Sequence, residues 1–489
     1  MKKLFNTVVG LSLILALMPL TVIAAPLVQG GEDYIVQADD WLSKLADKEY
    51  GNPFAWPAIV DATRTARGSD DSYADISNPD VIEVGWKLRI PSLEEATAFM
   101  ESYSLEGEEI VIYHFGDLSG PYAGITAPIV DGFNDGAAWV NASGGIRGAT
   151  VRVEFADDAG QVEEAISIYS RFSQATPRPF VIQLYGSPET EALRERLIED
   201  KIPVLTAGVS VPGLYPAAYA FGDVPNYADQ FGAFLDWLVD NWADVKPPNA
   251  GDQIKVAFVT WDTAFGRGAD TPETRAYAAS KGVEIVSVEF FPVASPDVTT
   301  QLLAAQAAGA NVIYSNTLAH GPAQILKDAE ALGLKADMLL SGVNWTMDLS
   351  ALALAGAASE GWYGVMPTVW WSEGTEGIAA IERQFVANER PPAEHNVGYL
   401  IGFSSVDAIR KWTELALEQV DGDLSQLNGE VMYEAIQNNP LRPLGIFNLT
   451  FNSDLRAPSA VRIGKMTGGD IIPITGWFTA PDLRPAEAK

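Results

Sequence analysis

The sequence predicts an α/β protein with two parallel sheets, each covered by helices, preceded by a small strand–helix–helix–strand module. Three observations predict it. From about residue 107 onward, short apolar runs alternate with helical patterns, as they do when parallel strands are joined by helices. Those runs are too many for one sheet, and the stretch is too long for one core, so two lobes follow. Before it, residues 34–91 carry a different and self-contained pattern of two strands and two helices.

The chain opens Met1-Lys2-Lys3, runs apolar from Leu4 to Ile23, and ends that run at Ala24-Ala25. A short basic start, an apolar middle and small residues behind it are expected of a secretory signal peptide over 1–25; an uncleaved membrane anchor is the rival reading. Next, Tyr34-Ile35-Val36 reads as a strand. Asp39-Asp40 is expected to cap a helix carrying Leu42, Leu45 and Ala46. Tyr50-Gly51-Asn52-Pro53 is a turn, Trp56, Ile59 and Val60 mark a second helix, and Asn78-Pro79-Asp80 is another turn. Residues 86–91 close the module as a strand, and 92–106 is a linker, helical over 93–105.

The large region starts with an apolar strand at 110–115 and a glycine-rich turn, Gly116-Asp117-Leu118-Ser119-Gly120-Pro121. Ile129, Phe133, Ala137 and Val140 then recur at three or four residues, as on a helix face. Asn141-Ala142-Ser143-Gly144-Gly145 stops that helix, since glycine accepts the left-handed conformation past a helix end. Val151, Val153 and Phe155 alternate as in a strand, and Asp157-Asp158 is expected to cap the next helix. Further strands are predicted at 180–184, 202–205, 256–260, 283–290, 312–315, 338–340 and 361–366. Helices are predicted at 189–199, 271–281, 299–308 and 323–332.

Composition excludes several function classes. Acidic side chains outnumber basic ones 64 to 32, and the net charge of −32 argues against attraction to nucleic acid or anionic lipid. With 47% hydrophobic and 20% charged residues the chain can bury large cores. It has no cysteine, which excludes disulfides, thiolate metal sites, a cysteine nucleophile and a lipoprotein-type anchor. His114, His320 and His395 lie far apart, so no metal site is expected. No nucleophile sits with a base, so neither catalysis nor a cofactor is expected.

The pieces Leu118-Ser119-Gly120-Pro121, Asn141-Ala142-Ser143-Gly144-Gly145-Ile146 with Gly148, and Asp157-Asp158, in this order and spacing, resemble the opening of the type I periplasmic solute-binding proteins, the branched-chain amino acid binding family of ABC importers. The resemblance covers about 107–482. It implies lobe 1 at about 107–222 and 368–440, lobe 2 at about 226–364 and 445–480, and crossings near 221–225, 364–368 and 441–445.

In open parallel sheets, ligands bind beyond the carboxyl ends of strands, where helices begin. Gly186 and Ser187 follow one such strand, and in the family a serine at this place grips the ligand carboxylate. The resemblance puts a carbonyl and a hydroxyl for the ligand on Gly208 and Ser210, a closing aromatic on Phe265, and a further lining position on Leu318. Asn344 and Trp345 follow another strand and can hydrogen-bond or stack on a ligand. Family members that bind amino acids carry an acid there. This chain has none between Leu340 and Thr346, and a buried ammonium needs an anionic partner. A neutral amide, a carboxylate or an aromatic acid is therefore expected over an ordinary α-amino acid.

The module at 34–91 resembles a lysin motif (LysM) domain through Tyr34-x-Val36-Gln37, Asp40-x-Leu42-x-x-Leu45-Ala46, Tyr50-Gly51 and Ile76-x-Asn78-Pro79-Asp80-x-Ile82-x-x-Gly85-x-x-Leu88-x-Ile90-Pro91. The resemblance implies a glycan groove at Asp40, Trp41, Asn78, Asp80 and Ile82. It departs from the family at Asp39, where glycine is usual, and in an insertion at 65–75. The expected whole is an exported, extracytoplasmic monomer that captures a small solute and hands it to ABC permease subunits, held at peptidoglycan by its module. A ligand sensor of the same fold and a wall-binding structural protein are the alternatives.

Overall fold

In the computed structural model the described residues are 31–76, 79 and 81–488, so the expected signal peptide and the groove residues Asn78 and Asp80 lie outside them. Two compact units meet in sequence between Tyr103 and Ser104. In the first, β1 (Glu32–Ile35) pairs antiparallel with β2 (Lys87–Ile90), Glu32 opposite Ile90. Between them run the helices Leu42–Tyr50 and Trp56–Arg67. Their apolar faces meet the sheet in a core that includes Val36, Leu45, Ile59, Val60, Leu88 and Ile90. Gly51, at φ 66, ends the first helix in the left-handed conformation that glycine permits. The segment Leu93–Tyr103 is helical, as its pattern predicts.

The Asp39-Asp40 cap does not form. Trp41 stands at the helix start, and no side chain caps it. The Asp40 carboxylate instead accepts from the Tyr34 hydroxyl at 2.7 Å and the Gln37 N–H at 2.8 Å, which braces the loop. Asp39 has φ 65, a left-handed conformation that favours glycine, which accounts for the glycine usual at this place.

The second unit holds two sheets. The first consists of β3 (Glu109–Gly116), β4 (Thr150–Asp157), β5 (Ile182–Leu184), β6 (Val204–Thr206) and β7 (Ala220–Gly222), all parallel in the order β4-β3-β5-β6-β7. The second consists of β8 (Lys255–Trp261), β9 (Glu284–Phe291), β10 (Val312–Ser315), β11 (Leu339–Gly342), β12 (Trp362–Met366), β13 (Ala460–Thr467), β14 (Asp470–Pro473) and β15 (Phe478–Thr479). Its order is β14-β13-β12-β11-β10-β8-β9, with β15 on β13. The strands β8 to β12 run parallel, and the last three join antiparallel. Strand order reverses beside β3 and beside β8, the places where open sheets leave a crevice for a ligand.

Between β12 and β13 the chain returns to the first sheet. There the helix Val397–Gln419 packs on Ala123–Ala142. The backbones approach so closely that a Cβ on Gly402 would lie 2.1 Å from the Ile129 carbonyl oxygen. Arg390 adds a fork to Asp135, with Nε and Nη2 donating at 2.8 and 2.7 Å, and the Tyr399 hydroxyl donates to the same carboxylate.

Asp157-Asp158 caps no helix. The next helix, Val162–Phe172, begins after Gln161 without a side-chain cap. Ala159 and Gly160 are both left-handed, at φ 52 and 67, and this turn moves the helix start beyond reach. Asp157 accepts from the Leu118 and Ala159 N–H groups, and Asp158 from that of Gly160.

Candidate functional site

The carboxyl ends of the two sheets meet at one cavity lined by Tyr122, Tyr185, Gly186, Ser187, Pro188, Ala207, Tyr227, Phe265, Leu318 and Trp345. It encloses about 330 Å³ of empty space, counting the part that opens to solvent.

Each wall is set by local sequence. After β5, Gly186 stands at the start of the helix Ser187–Asp200, and Pro188 fits the first turn because the N–H it lacks would be unpaired there. The Glu189 carboxylate lies directly against Gly186, where a Cβ would fall 1.7 Å from Oε2. The Ser187 hydroxyl lies 3.4 Å from that of Tyr227, the first residue of the helix Tyr227–Val245. The Tyr227 hydroxyl also donates to the Ala207 carbonyl and accepts from the Val209 N–H, both at 3.4 Å, contacts at the long limit for such bonds. Burial pushes its phenol up to about 12, so it stays protonated.

On the facing side, Thr263 caps a short helical turn by accepting from the Gly266 N–H at 3.0 Å, and the turn presents Phe265. The Phe265 ring lies 5.1 Å from that of Tyr227, edge to face. Trp345 comes from the tight turn Asn344–Thr346 after β11, and its ring meets Tyr185 at 6.3 Å. Tyr122 meets Trp261 at 6.0 Å.

Of the residues singled out from sequence, Gly186, Ser187, Phe265, Leu318 and Trp345 share this lining. Gly208, Ser210 and Asn344 do not. Gly208 lies beneath it: a Cβ there would sit 2.3 Å from the Gly186 carbonyl carbon, so it packs against the 186–187 peptide while Ala207 takes the wall. Ser210 is buried and donates to Glu191 Oε1 at 2.6 Å. Asn344 gives its N–H to Gln230 Oε1 at 3.0 Å, and its side-chain amide is buried without a hydrogen-bond partner. Arg267 pairs with Asp262 and covers the Phe290 ring.

Sequence reasoning missed Tyr122, Tyr185, Ala207 and Tyr227. The strand-end rule contains a signal for three of them: Tyr122 ends the turn after β3, Tyr185 follows β5 directly, and Ala207 follows β6. Tyr227 comes into reach only because its helix crosses toward the first sheet.

Carboxylates gather behind the Gly186 wall. Glu189 is 3% exposed, and its Oε2 is buried with no partner among the described residues. Burial, and then Asp158, Asp117 and Glu191 nearby, push its carboxyl up to about 7. Asp158 is likewise pushed up to about 6 by burial. Among the described residues no His, Asp, Glu or Cys group is placed to hold a metal ion, and no helix is long and apolar enough to cross a membrane.

In the first unit, Trp41 is 56% exposed with Lys44 Nζ 4.8 Å from its ring centre, while Asp40 is engaged within its own loop and Ile82 packs against the core.

The model of a family described as "Periplasmic binding protein" matches residues 109–469. A Leu/Ile/Val-binding protein homolog 1 of Brucella melitensis is 26% identical over 250 residues, half of this chain; the match spans 63% of that protein's length. The leucine-, isoleucine-, valine-, threonine- and alanine-binding protein of Pseudomonas aeruginosa is 22% identical over 373 residues, covering 74% of this chain and 91% of that one. Among solved structures, a branched-chain amino acid ABC transporter protein of Thermus thermophilus with bound valine has a TM-score of 0.68 at 24% identity, covering 78% of this chain and 99% of its own. A solute-binding protein from R. palustris in complex with benzoate has a TM-score of 0.62 at 16% identity, covering 76% and 97%. At these identities the structural likeness shows the fold, which is the type I periplasmic binding fold expected from sequence.

Proposed function

The chain belongs to the periplasmic binding protein family, and from that premise we propose that it captures a small organic solute between two lobes outside the cytoplasm and presents it to an ABC importer. The observation that carries this reading is the shared cavity: Ser187 stands at the end of the first sheet, Phe265 and Trp345 at ends of the second, and one space is lined by all three. Amino-acid-like solutes, amides and carboxylates are the classes this reading starts from. The proposal takes over the lobes that the family resemblance implies, with hinges near 221–225, 364–368 and 441–445. A ligand that touches both lobes stabilises their closed arrangement by its differential affinity for it.

Calorimetry across amino acids, amides, organic acids and amines, with small-angle scattering on each mixture, tests the proposal. One solute class is expected to give heat of binding together with a smaller radius of gyration. No heat and no compaction with any class would overturn it.

The module at 34–91 supports a second element of the proposal, retention at peptidoglycan through a lysin-motif fold. Its support is the strand–helix–helix–strand order with an antiparallel strand pair and the exposed Trp41 ring beside the loop expected to meet sugar. The full-length protein is expected to sediment with purified peptidoglycan, and protein lacking 27–95 to stay in solution. Equal partition of the two would exclude retention by this module.

A further inference from the structure

Of the expected grip on a ligand carboxylate, the Ser187 hydroxyl stays in this cavity and the rest is missing. A carboxylate at the end of a parallel strand is held by helix-start N–H groups, hydroxyls or a basic side chain. Here Pro188 has no N–H to give. Ser210 is outside the lining and gives its hydroxyl proton to Glu191. None of the ten lining residues is Lys, Arg or His.

What the wall offers instead is electron-rich. Tyr122, Tyr185, Tyr227, Phe265 and Trp345 supply five aromatic rings from five separate segments. Immediately behind Gly186 lies the unpartnered Oε2 of Glu189. Asp117 and Asp158 are buried in the same neighbourhood, and Glu189 and Asp117 together act on the Tyr122 phenol in the lining. An incoming carboxylate would face this group of acids with no basic group on the cavity wall to offset them. A cation is attracted by both parts of the wall, since ring faces carry negative quadrupole charge and buried carboxylates are screened little by salt.

Resting on the capture reading above, we infer that the bound solute is an organic cation, an amine or quaternary ammonium without a carboxylate, caged by the five rings and balanced by Glu189. Glu189 thus takes the place of the acid that the segment after β11 lacks, but it does so from the helix after β5, on the opposite lobe. The solute's apolar substituents face Leu318 and Phe265, and its hydroxyl, if it has one, meets Ser187 or Tyr227.

Calorimetry on the full chain with choline, benzyltrimethylammonium, the uncharged tert-butyl analogue of choline (carbon in place of the ammonium nitrogen), benzoate and leucine tests the inference. One of the two cations is expected to bind, and choline to bind about ten-fold or more tighter than its uncharged analogue. Benzoate and leucine are expected to give no heat. Glu189→Gln, close in shape, is expected to weaken the bound cation about ten-fold while the melting temperature holds or rises. Binding of benzoate or leucine with compaction, and none of either cation, would overturn the inference while leaving solute capture intact. Silence from every solute class would remove both. A Glu189→Gln protein that folds and holds the cation as tightly as the original would exclude Glu189 as its counter-charge.

Discussion

At the scale of single residues, the buried acids carry consequences for stability as well as recognition. Asp223 follows β7, is fully buried, and receives the Gln183 amide at 2.9 Å on one oxygen while the other has no partner among the described residues. Burial pushes its carboxyl up to about 7, against 3.8 for an ordinary aspartate. The folded state therefore holds this proton between about pH 4 and pH 7 where the unfolded chain has released it. Its stabilising contribution is complete below pH 4 and is lost as pH rises through 7. Asp223→Asn removes the titration, so melting curves should show a gain of about 2–4 °C at pH 8 and little change at pH 4. Equal shifts at both pH values would disprove it. Single residues were also where sequence reading erred. Ser187 follows from the strand-end rule and Phe265 from the family resemblance, but nothing local says that Gly208 lies under the wall and Ser210 bonds to Glu191.

At the scale of elements, strands were more legible than their surroundings. The apolar runs at 256–260 and 312–315 became β8 and β10 because a strand buried on both faces needs nothing else. The helix Val397–Gln419 was not read as such. It is buried along most of its length, so the polar face that reveals a helix period is missing. Its contact with Ala123–Ala142 depends on glycines whose neighbours come from hundreds of residues away. Replacing Gly402 by alanine places a methyl 2.1 Å from the Ile129 carbonyl oxygen. The helices must separate, at a cost of about 1–3 kcal/mol. Urea unfolding is expected to show that loss in its midpoint. An unchanged midpoint would mean that the helix pair has slack that this packing denies.

At the scale of the whole second unit, function depends on two sheets whose strand ends address one space. The ring pairs Tyr122–Trp261 and Tyr185–Trp345 each join an element of the first sheet to one of the second, and any opening of the cleft must part them. Scattering on the free and loaded protein, proposed above for solute capture, reads that opening directly. Taken alone, the amino-acid sequence determined the fold class, the places of most strands along the chain, the small preceding module and the exclusion of cysteine chemistry. These depend on periodicity, turn residues and composition, which are local properties. Only the tertiary structure decided which strand-end residues share a wall, that aromatic rings make up so much of it, and that an unpaired Glu189 lies behind it. Those are relations between segments far apart in the chain, and they arise from close backbone approaches such as Gly208 on the 186–187 peptide, which no local pattern records.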